Sequence, residues 1–212
     1  MSEELVANLV CDYAVAERPK LGERESGDAW VVEAVGDGVL IAVIDGAGHG
    51  PNAAECGRKA VAAIRRAGCS TPVKSIIDDC HRALLGTRGA AMSVVQIDLT
   101  RKRLTWDGVG NVEAVVVSPR FAAPAGKAQW LVVRGGVVGY DLPPLHPTSV
   151  DFGPEHWLVM ATDGIQPGFG KDLDFSRGAR AAADRTLVDH GLTGDDALIL
   201  VARVRGGALG DA

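Results

Sequence analysis

Two β-rich runs, residues 29–35 and 39–44, stand on either side of Gly36-Asp37-Gly38. A glycine-flanked aspartate between β-formers is a strong hairpin signal, so the fold has to accommodate an antiparallel pair here. Residues 5–16 read as a preceding strand that stops at Arg18-Pro19-Lys20, where Pro19 disfavours further pairing. Pro51 suits a first helical turn, and Ala53-Ala54, Gly57, Ala60-Val61 and Ile64 recur on one helical face, small residues that imply tight packing. A second helix is predicted from Thr71, with Pro72 at its first position, Val73, Ile76-Ile77, Cys80 and Leu84 in period, and Gly86 as the stop. Residues 92–99, 103–106, 112–118 and 129–134 read as strands of antiparallel meanders. Residues 156–162 read as another strand, 176–189 as a helix closed by Gly191, and 197–204 as a final strand. Strands outnumber helices and do not alternate with them, which predicts an α+β layered fold rather than a doubly wound parallel sheet.

A chain of 212 residues can bury a sizeable core, and no linker, repeat or low-complexity stretch divides it, so residues 1–212 are read as one domain. Hydrophobic residues at 47% and charged residues at 23% exclude disorder for most of the chain. Lys and Arg number 22 against 27 Asp and Glu, and the net charge of −5 argues against a nucleic-acid or anionic-membrane partner. The start, Met1-Ser2-Glu3-Glu4, is acidic where a secretory signal is basic. The longest apolar run, residues 39–44, is far short of the ~18 residues of a membrane span, and the expected location is the cytoplasm. Cys11, Cys56, Cys69 and Cys80 are too unevenly spaced for a disulfide framework and form no C-x-x-C, so they are expected to be reduced packing residues.

The aspartates fall at strand ends. If the hairpin turns about Asp37, residues whose numbers sum to about 74 face each other, which puts Asp28 opposite Gly46 and next to Asp45. Two carboxylates at one sheet end repel unless a proton or cation neutralises them, and the Asp45-Gly46 turn leaves a backbone carbonyl as a further hard ligand. The plainer alternative is that both aspartates only terminate strands. Asp163-Gly164 ends the strand at 156–162 and Asp195-Asp196 begins the strand at 197–204, and antiparallel pairing would bring these to one end as well. Four segments then supply an all-oxygen set suited to Mg²⁺ or Mn²⁺ and unlike the His/Cys set of zinc. Two such ions, bridged by a carboxylate ~3.5–4 Å apart, prepare a hydroxide and polarise a phosphoryl oxygen, chemistry that points to phosphate-ester hydrolysis without a side-chain nucleophile.

Glu25-Ser26-Gly27-Asp28, Asp45-Gly46-Ala47-Gly48-His49-Gly50, Ala161-Thr162-Asp163-Gly164-Ile165 and Gly194-Asp195-Asp196-Ala197 resemble, in that order, the motifs of the metal-dependent protein phosphatases (PPM family), in particular their SpoIIE-like bacterial branch. Val109-Gly110-Asn111 and Arg18-Pro19-Lys20 look like the small stand-alone members that reset the bacterial stressosome. The resemblance implies two packed, mainly antiparallel β-sheets flanked by helices in a four-layer αββα sandwich. It also implies a site for two Mn²⁺ or Mg²⁺ ions, and hydrolysis of phosphoserine or phosphothreonine in proteins. By position, Asp45 is the implied bridge between both ions and Gly46 the carbonyl ligand. Asp163 and Asp195 complete the more buried site, and Asp28 serves the second ion directly or through water. Asp45, Asp163 and Asp195 are thus the implied catalytic carboxylates. Asp196 could substitute for Asp195, since adjacent residues of an extended segment point opposite ways. Eukaryotic members carry an Asp-Gly-His-Gly run, whereas here Ala47 and Gly48 separate Gly46 from His49. His49 is a candidate to protonate the leaving oxygen, to hold a water or to orient the loop. Those enzymes' phosphate-binding arginine has no secure counterpart; Arg24 is near Asp28 in sequence, but an exposed arginine before a turn is more often only solvated.

The remaining residues carry less. His81, His146, His156 and His190 share no ligand spacing, Ser26 and Ser93 lack an adjacent base, and Trp30, Trp106, Trp130 and Trp157 read as core packing within strands. Gly135-Gly136 and Gly206-Gly207 open no phosphate-cradling helix. The expectation is a cytoplasmic serine/threonine phosphatase acting on a phosphorylated protein, a stressosome scaffold by the narrower resemblance. The competing expectation is a catalytically silent phosphoprotein-binding module of the same fold, against which the intact self-repelling aspartate set argues. Substrate choice is expected in the loops at 119–127 and 166–174.

Overall fold

The computed structural model describes residues 11–118 and 128–205. In chain order its strands are β1 (Cys11–Arg18), β2 (Asp28–Val35), β3 (Gly38–Gly46), β4 (Ala90–Asp98), β5 (Arg103–Val109), β6 (Glu113–Val117), β7 (Ala128–Leu131), β8 (Thr148–Asp151), β9 (Trp157–Ala161) and β10 (Ala197–Val204). The helices are α1 (Pro51–Ala67), α2 (Val73–Leu84) and α3 (Gly178–His190), with a 3-10 turn at Phe169–Lys171. The strands form two five-stranded sheets, β1-β10-β9-β6-β7 and β2-β3-β4-β5-β8, with every neighbouring pair antiparallel.

The run at 39–44 shows why the sheets stack as they do. Six consecutive apolar residues leave a strand no face for water, so both faces must be covered. Val39, Ile41 and Val43 point into the space between the sheets, where they meet Leu158, Met160, Leu198 and Leu200 of the other sheet. Leu40, Ala42 and Ile44 point the other way, onto Ala60, Ile64, Ile76 and Ile77 of α1 and α2. Strands β9 and β10 divide in the same manner, with Val159, Ala161, Ile199 and Val201 packing on Ala179, Ala182 and Ala183 of α3. The result is helix, sheet, sheet, helix. Each fully buried aliphatic side chain in these layers contributes about 1.5–3 kcal/mol.

Several sequence expectations need correction. The hairpin closes by one residue less than expected: Val35 pairs with Gly38 around Gly36-Asp37, so Asp28 stands opposite Asp45 and not Gly46. Helix α2 starts at Val73, because Pro72 takes an extended ψ of 143° and stands before the helix. Helix α3 runs Gly178–His190, two residues past the expected start. The meander does not continue from β5 into β6: the chain crosses to the other sheet between Val109 and Glu113, carrying Asn111 over the sandwich end. Strand β8 was not expected, since Thr148-Ser149-Val150-Asp151 is short and polar and gains strand geometry only by pairing with β5. Trp106 and Trp157 are buried, but Trp130 is 42% exposed on β7 and meets Phe169 edge-on. The cysteines are free thiols, and Cys11, Cys56 and Cys80 are buried. Among the described residues, no helix is long and apolar enough to cross a membrane.

Candidate active site

The ends of β2, β3, β9 and β10 converge on one end of the sandwich, and close backbone contacts there demand glycine. A Cβ on Gly46 would meet the Ala53 carbonyl oxygen at 2.3 Å, so only glycine lets α1 approach the end of β3. A Cβ on Gly164 would lie on the Asp196 carbonyl oxygen, at 1.8 Å, so only glycine lets the turn after β9 pass against the start of β10. The Asp-Gly pairs are thereby explained from both sides: the aspartate faces the site and the glycine lets two backbones touch behind it.

Asp45, Asp163 and Asp195 line one cavity of about 380 Å³, together with Lys20, His49 and Asn111. Asn111 Nδ2 donates to Asp163 Oδ2 at 2.6 Å. Burial and then the neighbouring Asp163 and Asp195 push the Asp45 carboxyl up to about 7, against the lowering effect of the Asn111 amide. Asp163 is raised by burial and by Asp195. One wall of the cavity, Gly135-Gly136-Val137, is anchored by Arg134, whose Nη1 donates to the fully buried Asp107 at 2.9 Å. The Arg134 backbone also exchanges hydrogen bonds with Gly108 and Gly110.

Asp28 is buried opposite Asp45 but opens onto a neighbouring cavity of about 590 Å³, beside Glu25, Ser26 and Arg58. Its Oδ2 accepts a 2.8 Å hydrogen bond from Thr162 Oγ1 across the two sheets, while Oδ1 is buried without a partner. Burial, then Asp45, pushes this carboxyl up to about 8. Gly46 is buried and lines neither cavity.

The adjacent aspartates separate. Asp195 lines the cavity, whereas Asp196 turns inward, accepting from the Lys20 backbone N–H at 2.7 Å and the Gly27 N–H at 2.8 Å. His49 is pinned despite its glycine-rich loop, its Nδ1 standing 2.7 Å from Glu23 Oε1. Arg24 is exposed and lines neither cavity. The loop at 119–127 lies outside the described residues, and residues 166–174 contribute nothing to the cavity wall.

Sequence reasoning assigned no role to Asn111, Thr162, Glu23 or Lys20. Asn111 and Lys20 sit in stretches that carried the resemblance, but only the crossing after β5 and the Asp196 anchor bring them to the aspartates. Among the described residues, no three His, Cys, Asp or Glu side chains are closed into a ready cation cage. The donor chemistry nevertheless fits a hard divalent cation: oxygen ligands only, repelling one another, with an orphaned buried carboxylate oxygen on Asp28.

Comparison with known proteins gives concordant results. Phosphoserine phosphatase RsbX of Bacillus subtilis (strain 168) is 33% identical over 100 residues, covering 47% of this chain and 50% of that protein, so the match spans half the length of the curated relative. A structure described under the bacterial stressosome, as a modular system adapted to control secondary messenger signalling, matches with TM-score 0.82 and 26% identity over 91% of this chain and 99% of its own. The crystal structure of RsbX in complex with magnesium matches with TM-score 0.81 and 22% identity over 92% of this chain and 96% of its own, which establishes a shared fold. The family model for Stage II sporulation protein E (SpoIIE) matches residues 36–205, and with most of the chain under that match, the protein belongs to the SpoIIE family.

Proposed function

We infer that this chain is a metal-dependent phosphatase for phosphoserine and phosphothreonine in proteins, working in the cytoplasm as a single domain over residues 1–212. The observation that carries the reading is the meeting of Asp45, Asp163 and Asp195, from three separate strand ends, on the wall of one cavity, with the buried Asp28 facing Asp45. A binding module has no use for carboxylates raised toward neutral pH by their own crowding.

In this reading two Mn²⁺ or Mg²⁺ ions would be held by Asp45, shared between them, with Asp163 and Asp195 serving one, Asp28 the other, and the Gly46 carbonyl completing the oxygen set. When bound, the ions supply the positive charge that polarises the phosphoryl oxygens and makes water acidic enough to attack. The chain's own groups do the rest. Asn111 holds Asp163 in place and Thr162 fixes one oxygen of Asp28. The attacking water forms the new P–O bond as the bond to the serine or threonine oxygen breaks, and that oxygen must take a proton to leave. His49, on the cavity wall and held by Glu23, is the candidate donor.

The relatives support a narrower substrate. RsbX is a phosphoserine phosphatase, and the matching structure at 26% identity is described under the bacterial stressosome. The substrate proposed is therefore a phosphorylated stressosome scaffold protein, and dephosphorylation would reset that stress-signalling complex. The test is turnover of a phosphoserine peptide with added Mn²⁺, compared with Asp45→Ala and with free phosphoserine as substrate. Metal-dependent turnover that Asp45→Ala abolishes supports the reading, and equal, metal-independent rates defeat it.

A further inference from the structure

The cavity wall poses an electrostatic difficulty: three carboxylates face a space that is meant to receive a phosphate dianion. Positive charge belonging to the chain itself is scarce there. Lys20 lines the cavity, and among the described residues its ammonium makes no ion pair or hydrogen bond. Its backbone, by contrast, is tied down, because Asp196 accepts the Lys20 N–H at 2.7 Å with one oxygen and the Gly27 N–H with the other. The buried aspartate thus holds the base of Lys20 against the strand that begins at Asp28 and leaves the charged end available.

We propose that Lys20 is the chain's own anchor for the substrate phosphate, contacting the non-transferring oxygens of the phosphoryl group at the cavity mouth. This deepens the phosphatase reading and rests on it. A mobile ammonium at a partly open site recognises the dianion in ground and transition states alike, so its contribution falls on binding and not on the chemical step. The other cation near the site, Arg88, sits over the loop carrying His49, its Nη1 2.9 Å from where a Cβ on Gly48 would lie. It is exposed and does not line the cavity, which makes it the natural control.

The test uses the full chain with Mn²⁺ and compares wild type with Lys20→Ala, Lys20→Arg and Arg88→Ala. Two quantities are read: KM and kcat for a phosphoserine peptide, and the Kd of inorganic phosphate by calorimetry. Lys20→Ala should raise both KM and the phosphate Kd about tenfold, the effect of one charge-assisted hydrogen bond, with kcat within about twofold of wild type. Lys20→Arg should restore most of the loss. All these variants keep the backbone N–H that Asp196 holds, so the fold is not put at risk. Unchanged KM and Kd in Lys20→Ala overturn the assignment, as does finding the whole effect in Arg88→Ala. If wild type cleaves no phosphopeptide, the phosphatase reading fails, and a phosphate Kd that still depends on Lys20 would show that the anchor exists without it.

Discussion

Strand β4 runs between two ends of the same sheet, and aspartates at those ends live in opposite worlds. At one end Ala91 pairs with Asp45; at the other Asp98 pairs with Gly38. Asp98 is a turn residue with every need met: it accepts from Thr100 Oγ1 at 2.7 Å, from the Arg101 N–H at 2.8 Å and from the Arg101 guanidinium at 3.1 Å. The Thr100 hydroxyl first, then the Arg101 backbone, hold its carboxyl below the usual range. Asp45, burdened by burial and by two like charges, is pushed up to about 7. The same side chain terminates a strand in both places, and only one of them stabilises the fold. Stability has been given up where carboxylates crowd together, and kept where a turn has to close.

The sharpest way to break this contrast is Asp45→Ala, which should lower phosphopeptide turnover by on the order of 10³-fold while the protein still folds. Turnover retained within a few-fold would remove Asp45 from the chemistry. Gly164→Ala should act on folding instead, costing roughly 3 kcal/mol or more in a urea titration, because the new methyl has no room beside the Asp196 carbonyl. An unshifted midpoint would mean that the backbones there can part without penalty.

A smaller effect is expected in pH. Asp28 and Asp45 rise from 3.8 when unfolded to about 8 and about 7 in the fold, so the fold favours their protonated forms. Their contribution to stability is fully present below about pH 4 and is lost as pH climbs through 7 and 8. In chelator, the melting temperature should therefore fall by roughly 5 °C between pH 5 and pH 9, Asp28→Asn should flatten the slope, and Mn²⁺ should remove most of it. A flat profile in chelator would show that the crowding is relieved in solution. The smallest effect belongs to Asp98→Ala: solvent screens its exposed partners, so the loss should stay under about 1 kcal/mol with turnover unchanged.

Much of the fold was legible because periodicity reports burial. The hairpin about Gly36-Asp37, the small-residue face of α1 and the apolar run of β10 each carry their own signal. Strand β8 carried none, since its conformation comes from pairing with β5, and the jump between sheets after Val109 was illegible for the same reason: a local pattern names a strand but not its neighbour. The aspartates could be picked out as strand-end residues before any coordinates. The partners that govern them could not, because Thr162 reaches Asp28 across 134 residues of sequence and Lys20 meets Asp196 across 176.

What the chain's residues determine unaided is which segments must be strands and helices and which end of them carries acid, since propensity, apolar period and turn chemistry act over a few residues at a time. Which of Asp195 and Asp196 faces the cavity, that Asp28 lies squarely across from Asp45, and that Asn111 arrives beside Asp163 were decided only by the stacking of two sheets. A difference of one residue in register or of one peptide's orientation redirects a carboxylate from solvent to site, and long-range packing alone supplies the energy that selects between such alternatives.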